Sequence, residues 1–284
     1  MYSSHHHKHH ARRLLCLTAL ACFVAGGTAY ACTRKAAVPQ LPELPAESLV
    51  QAASALPDAP VQQPAENGAQ QSTLTAAQAQ AILDDPRMIL VSRTHPITED
   101  YPVETKECGS ATAINKTLQT EAADAFFSMQ AAAAKDGVDV RMQSGYRSVS
   151  YQKKLYNNKT QYYRNKGLSE AAAREKAATI VNPPGCSEHN CGLAADLNSP
   201  EHTTLDTGFA DTAAFRWLCE NAEQYGFILR YPKEAESVTG ITYEPWHWRY
   251  VGAENAALLN QSGLCLEDAV AVLQRITAGE TVTG

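Results

Sequence analysis

Gly192 lies between His189 and Asp196, and Pro245 lies between Glu244 and His247; these two interruptions restrict the possible folds more than any other feature of the chain. Pro245 disfavours a helix interior, because its ring removes an N–H and clashes with the preceding turn. Glu244 and His247 therefore do not form a helical H-E-x-x-H site. His189 and Asp196 are seven apart, too far for one helical face. That spacing suits a loop turning into a strand, with both side chains aimed at one point. Outside the five histidines before residue 11, the chain has only His95, His189, His202 and His247, and two of these fall inside the motifs. Two imidazoles, one carboxylate ligand and a spare carboxylate are what a catalytic zinc site needs: three protein ligands, an open position and a nearby base. Each motif alone also has a structural reading. A His-x6-Asp pair arises by chance, and Trp246 and Trp248 suit core aromatics around a buried histidine.

A net charge of -6 with no basic stripe after residue 40 argues against nucleic acid as partner. Arg12 and Arg13 precede an apolar run from Leu14 to about Ala25, and Ala29-Tyr30-Ala31 is a cleavage pattern. The span from Leu14 to Cys32 is also nearly long enough to cross a bilayer uncleaved, and Cys32 stands where a lipoprotein cysteine would. Residues 1–32 are expected to be a signal peptide or membrane anchor, the only part expected to meet a membrane. The protein is expected to be exported. Residues 33–75, with Pro39, Pro42, Pro45, Pro57, Pro60 and Pro64 among many Ala and Gln, cannot bury enough apolar surface to offset ordering entropy and read as a disordered linker. Five cysteines follow: Cys108, Cys186, Cys191, Cys219 and Cys265. Cys186 and Cys191 bracket His189 and suit either zinc ligation or a disulfide. Two thiolates plus two histidines would close the site and leave Asp196 and Glu244 without work, which favours a disulfide stapling the loop.

The folded domain is expected over 76–284, with its core at about 86–260. The patterning predicts a short helix over Thr75–Leu83, a strand at Met88–Val91, a helix over Ala113–Ala134 and a strand at Val138–Met142. Helices over Val149–Asn165 and Ser169–Ile180 and a strand at Ala194–Leu197 follow. After them come a helix over Thr212–Tyr225, strands at Phe227–Leu229 and Trp246–Val251, and a helix from Ala253. Helices and strands alternate without a βαβ rhythm, which favours an α+β fold: a small, largely antiparallel sheet with flanking helices.

Taken in order, several segments resemble the VanY-type D-alanyl-D-alanine carboxypeptidases, zinc peptidases that share a fold with D-Ala-D-Ala dipeptidases and the hedgehog domain. The matching pieces are Ser144-Gly145-Tyr146-Arg147-Ser148 with Tyr151-Gln152, the stretch Pro184 to Leu197, Asn221 to Pro232, and Tyr243 to Gly252. The resemblance covers roughly residues 86–259. It implies zinc (Zn2+) on His189, Asp196 and His247, with Glu244 as the base that takes the water's proton and returns it to the leaving amine. It implies a catalytic and substrate-binding role for Arg147, whose planar cation suits an oxyanion or a peptide carboxylate. It also implies substrate contacts from Gln152 and Ser187. Without it, Arg147 reads as a surface salt bridge and Gln152 as a solvated helix face. With the resemblance, replacing Arg147 is expected to cost turnover while leaving metal content and stability near wild type. Glu188 adjoins a ligand and could support it from behind, but is expected to point away if His189 points in.

The implied activity is hydrolysis of the C-terminal D-alanine of peptidoglycan stem peptides outside the cytoplasmic membrane. L,D-carboxypeptidase and dipeptidase activities use the same constellation. A zinc-stabilised, non-catalytic wall-binding module is the rival class, but such a module needs neither Glu244 nor Arg147.

Overall fold

The computed structural model describes residues 74–280, so the expectations for the leader and most of the linker lie outside the described residues. Strands β1 (Thr105–Glu107) and β2 (Thr117–Gln119) form an antiparallel pair. The main sheet has the order β3 (Arg141–Ser144), β4 (Ala194–Asn198), β6 (His247–Tyr250), β5 (Phe227–Leu229), and every pairing in it is antiparallel. With helices around these sheets, the class is α+β. Its alternation splits residues cleanly. Met142, Ala195, Leu197, Phe227, Trp248 and Tyr250 enter the larger apolar core, while Asp196, His247 and Arg249 fall on the opposite face by period two.

Helix α2 (Thr120–Lys135) lays Ala122, Phe126, Met129 and Ala133 on that core, all fully buried. It starts later than its periodicity predicts. Residues 117–119 pair with β1, and Ile114 hydrogen-bonds through its amide to Gln143 O. Ile114 is 65% exposed, so its place in an apparent helical stripe was accidental. Helix α3 (Val149–Asn165) has the predicted limits, because the Ser148 hydroxyl accepts from Tyr151 N and caps its first turn. Helix α4 (Glu170–Ala178) follows, capped by Ser169. Helix α5 (Ala213–Asn221), capped by Thr212, tightens into a 3-10 turn and stops at Gly226, which has a left-handed φ of 79°.

Met88–Val91 is not a strand. The Asp85 carboxylate caps a 3-10 turn at Pro86–Met88, and Ile89 O accepts from the Arg249 guanidinium instead of a neighbouring strand. Two terminal helices also extend the core on both sides of residues 86–260. Helix α1 (Ala76–Leu83), closed by a capping box at Thr75, packs on α7 (Leu266–Thr277), and α6 (Ala253–Ser262) lies between α7 and the sheet in sequence. Leu266, Val272 and Leu273 are fully buried there, each contributing roughly 1.5–3 kcal/mol. Among the described residues no single helix is long and apolar enough to cross a membrane.

Candidate metal and catalytic site

Cross-strand register builds the site. Ser144 faces Asp196 between β3 and β4, and Asp196 faces His247 between β4 and β6. A register shift between Met142 and Ser144 turns Ser144 away from the core that Met142 enters, a common use of a bulge beside a site. His189 comes from the 3-10 turn Glu188–Cys191, which ends at Gly192 with φ 75°. That left-handed residue reverses the chain into β4 and brings His189 over Asp196. The backbone of the Arg147 segment clamps the turn: Arg147 N donates to His189 O at 3.0 Å, and Asn190 Nδ2 donates to Arg147 O at 2.7 Å.

His189, Asp196 and His247 each offer one ligand atom, all within 4.8 Å of one another, and all three are buried. His189 Nδ1 donates to Gly145 O at 2.8 Å, so its Nε2 is left facing Asp196 Oδ1 at 3.2 Å. Gly145 must be glycine, since a Cβ there would stand 2.2 Å from Thr117 O. His247 has the reverse arrangement. Its Nδ1 faces Asp196 Oδ1 at 3.2 Å and Glu244 Oε2 at 3.7 Å, while its Nε2 donates to Glu188 Oε2 at 3.4 Å. A ligand imidazole pinned through its other nitrogen in this way has a fixed tautomer and orientation.

The electrostatics follow from burial and neighbours. Burial alone would raise the Asp196 carboxyl, but His189 and Arg147 outweigh it and hold it well below the ordinary carboxylate range. Burial lowers His189 further with help from Arg147. Burial also works to lower His247, yet the Asp196 and Glu188 carboxylates overcome this and raise it to about 9. The cradle around His247 therefore favours a positive charge. Glu244 is raised to about 7 by burial, with His247 opposing and Asp196 adding to the rise. A carboxyl that titrates near neutrality beside the His247 imidazole is suited to proton transfer.

Arg147 is not a surface pair. Its Nη2 lies 2.6 Å from Asp196 Oδ2, and its Nε and Nη2 both donate to Ser144 Oγ. Gln152 is buried rather than on a solvated face; its Nε2 donates to Asn182 O and its Oε1 has no partner. Ser187 is buried immediately before the ligand turn. Trp248 sits in the core with its indole N–H on Pro245 O, so only Trp246 of that pair is partly exposed. His95 and His202 make local contacts with Ser92 and Asp206 and take no part.

Two expectations are corrected. Cys186 and Cys191 are not joined: Cys191 Sγ turns to Glu188 O at 3.0 Å and Cys186 Sγ to Pro184 O at 3.8 Å. The loop is fixed instead by Asn190, which also accepts from Gly185 N at 3.2 Å. Glu188 does not point away. Side chains of a 3-10 turn step by about 120° rather than alternating, so Glu188 passes beneath the turn to His247. Arg230 and Arg249 were missed from the sequence. Arg249 had a signal, since it stands two residues after His247 on the same strand and so on the same face; Arg230 had none.

Comparison with known proteins agrees with this geometry. The D-alanyl-D-alanine carboxypeptidase (VanY) family model matches residues 115–253. A D-alanyl-D-alanine carboxypeptidase of Enterococcus faecalis is 38% identical over 200 residues, covering 70% of this chain and 71% of that protein. A mutant of the vancomycin-resistance D,D-pentapeptidase VanY from a VanB-type cassette, in complex with Zn(II), superposes with a TM-score of 0.55 at 36% identity, covering 65% of this chain and 98% of the other. The LD-carboxypeptidase LdcB superposes with a TM-score of 0.57 at 33% identity, covering 68% and 87%.

Proposed function

This chain belongs to the VanY family of D-alanyl-D-alanine carboxypeptidases, and from that premise we propose that it is a zinc enzyme removing the C-terminal D-alanine of peptidoglycan stem peptides. The observation that carries the reading is the convergence of His189 Nε2, Asp196 and His247 Nδ1 within 4.8 Å, with Glu244 Oε2 3.7 Å from the last. Two neutral-capable imidazoles and a carboxylate are a zinc-type donor set, and three protein ligands leave a position open. The carboxylates of Asp196, Glu188 and Glu244 around His247 suit a cation there. Bound zinc supplies Lewis acidity, enough to bring the pKa of water to about 7.

The rest of the chemistry falls to side chains of this chain. Glu244, raised to about 7, accepts a proton from the attacking water and delivers it to the departing amine nitrogen of D-alanine. Arg147 keeps Asp196 in place and presents its guanidinium edge to negative charge developing on the peptide oxygen. Gln152, with a buried and unpartnered Oε1, offers an acceptor for a stem-peptide N–H, and Ser187 lines the approach to His189. The same reading puts the catalytic domain at 76–284, behind an export segment (1–32) and a linker (33–75), on the outer side of the membrane where stem peptides occur.

The test is product analysis with defined muropeptides. Zinc-loaded protein should shorten a pentapeptide stem by one D-alanine, and chelation should stop it reversibly. Release from tetrapeptides alone would move the assignment to L,D-cleavage, the activity of the similar LdcB. His189→Ala, Asp196→Ala and His247→Ala should each lose metal. Zinc retained by Asp196→Ala but lost by Glu244→Ala would overturn the division into ligands and base.

A further inference from the structure

The segments flanking the family match at residues 115–253 are tied through two arginines to one buried carboxylate. Glu188 Oε1 accepts from Arg230 Nε at 2.7 Å and from Arg249 Nη1 at 2.8 Å. All three side chains are at most 1% exposed. The other oxygen, Oε2, is left to His247 Nε2. Each arginine then reaches outward. Arg230 forks onto Glu267 in the first turn of α7, at 2.8 and 2.6 Å. Arg249 Nη2 donates to the carbonyls of Arg87 and Ile89, both at 2.8 Å. The residues that set the far side of His247 are therefore anchored by α7 at one end and by the 87–89 backbone at the other.

A buried ion cluster of this kind adds little net stability over apolar side chains of equal volume. What it does add is position. Both lone-pair directions of Oε1 are taken by guanidinium N–H groups, one from each arginine, so the carboxylate cannot rotate without breaking two charge-assisted bonds. Oε2 is then held where only the imidazole N–H of His247 meets it. That N–H in turn fixes the ring so that Nδ1 faces Asp196.

We propose that Glu188 is the positioning residue for His247, and that Glu267 through Arg230, and the 87–89 backbone through Arg249, hold it in that role. The flanking segments are then working parts of the metal centre. The inference rests on the reading of His247 as a zinc ligand.

The experiment measures zinc affinity of the full chain by competition with a chromophoric chelator, alongside melting temperature with and without zinc. Glu188→Gln should raise the zinc dissociation constant about 10- to 100-fold, the scale for loss of such an outer partner. Glu267→Gln, outside the site, should weaken zinc by about tenfold or less. Arg230→Lys should not restore wild-type affinity, because lysine cannot fork between two carboxylates. In each variant the zinc-induced rise in melting temperature should shrink; a purely structural residue would lower both melts equally. Wild-type protein that binds no zinc overturns the ligand reading and this inference with it. Wild-type binding together with undiminished affinity in folded Glu188→Gln overturns this inference alone. If Glu188→Gln does not fold, Glu267→Gln and Arg230→Lys decide, and wild-type affinity in both overturns it.

Discussion

Replacing Arg147 by alanine removes the cation that stands 2.6 Å from Asp196 Oδ2 and also bonds Ser144. The arginine side chain is 18% exposed and the aspartate 4%, so the pair lies between two regimes. Exposed pairs contribute at most about 1 kcal/mol, while breaking a buried pair from one side costs about 3–5 kcal/mol. About 2 kcal/mol is the expected loss in zinc-free protein. For a domain of this size that lowers the melting temperature by roughly 4–8 °C. With zinc present Asp196 has a second cationic partner, so the loss should be smaller and the zinc-induced rise larger than in wild type. Zinc content should therefore hold. Turnover should not: loss of one donor to developing negative charge costs about 2–4 kcal/mol, or roughly 30- to 1000-fold in kcat/KM. Arg147→Lys should recover little of either, because a point charge cannot meet Ser144 and Asp196 together. Calorimetric melts with and without chelator, paired with pentapeptide kinetics, measure both parts. An unchanged zinc-free melt and a kcat/KM within twofold of wild type would refute the reasoning.

Glu244→Gln should abolish turnover and leave zinc near one per chain. In wild type, kcat/KM should fall on the acid side as Glu244 takes up its proton, with a midpoint at or below about 7, because a bound dication pulls a neighbouring carboxyl down; the same acid limb in residual Glu244→Gln activity would contradict this. Glu188 and Asp196 are both held below their ordinary range by neighbouring positive groups. Their contribution to stability is thus present above that range and lost as pH falls through it, so melts of zinc-free protein should decline below about pH 4. Alkylation after unfolding without reductant should modify both Cys186 and Cys191, and a cross-linked peptide joining them would overturn the free-thiol arrangement.

Much of the site was legible because its chemistry needs particular residue types close together in sequence. His189 with Asp196 across Gly192, and Glu244 with His247 across Pro245, declare loop–strand junctions, since proline and glycine act on the backbone locally. The start of α3 and the end of the helical run from α5 were equally legible. Ser148 set the former and Gly226 the latter. Where a pattern depends on which face is covered, the sequence was ambiguous. Ile114 and Leu118 share helical spacing, yet one is exposed and the other is buried in β2, and only pairing with β1 distinguishes them.

Side-chain electrostatics across long separations were decided by the tertiary structure alone. Arg147, expected to meet the substrate, also partners Asp196, 49 residues away. Glu188 was expected to point away from His189 and became the acceptor behind His247, 59 residues away. The sequence determined which groups are available and how the backbone bends around them. Which charges meet depends on sheet register, the bulge in β3 and the docking of α7, because a buried charge has to find its partner through space wherever the fold puts it.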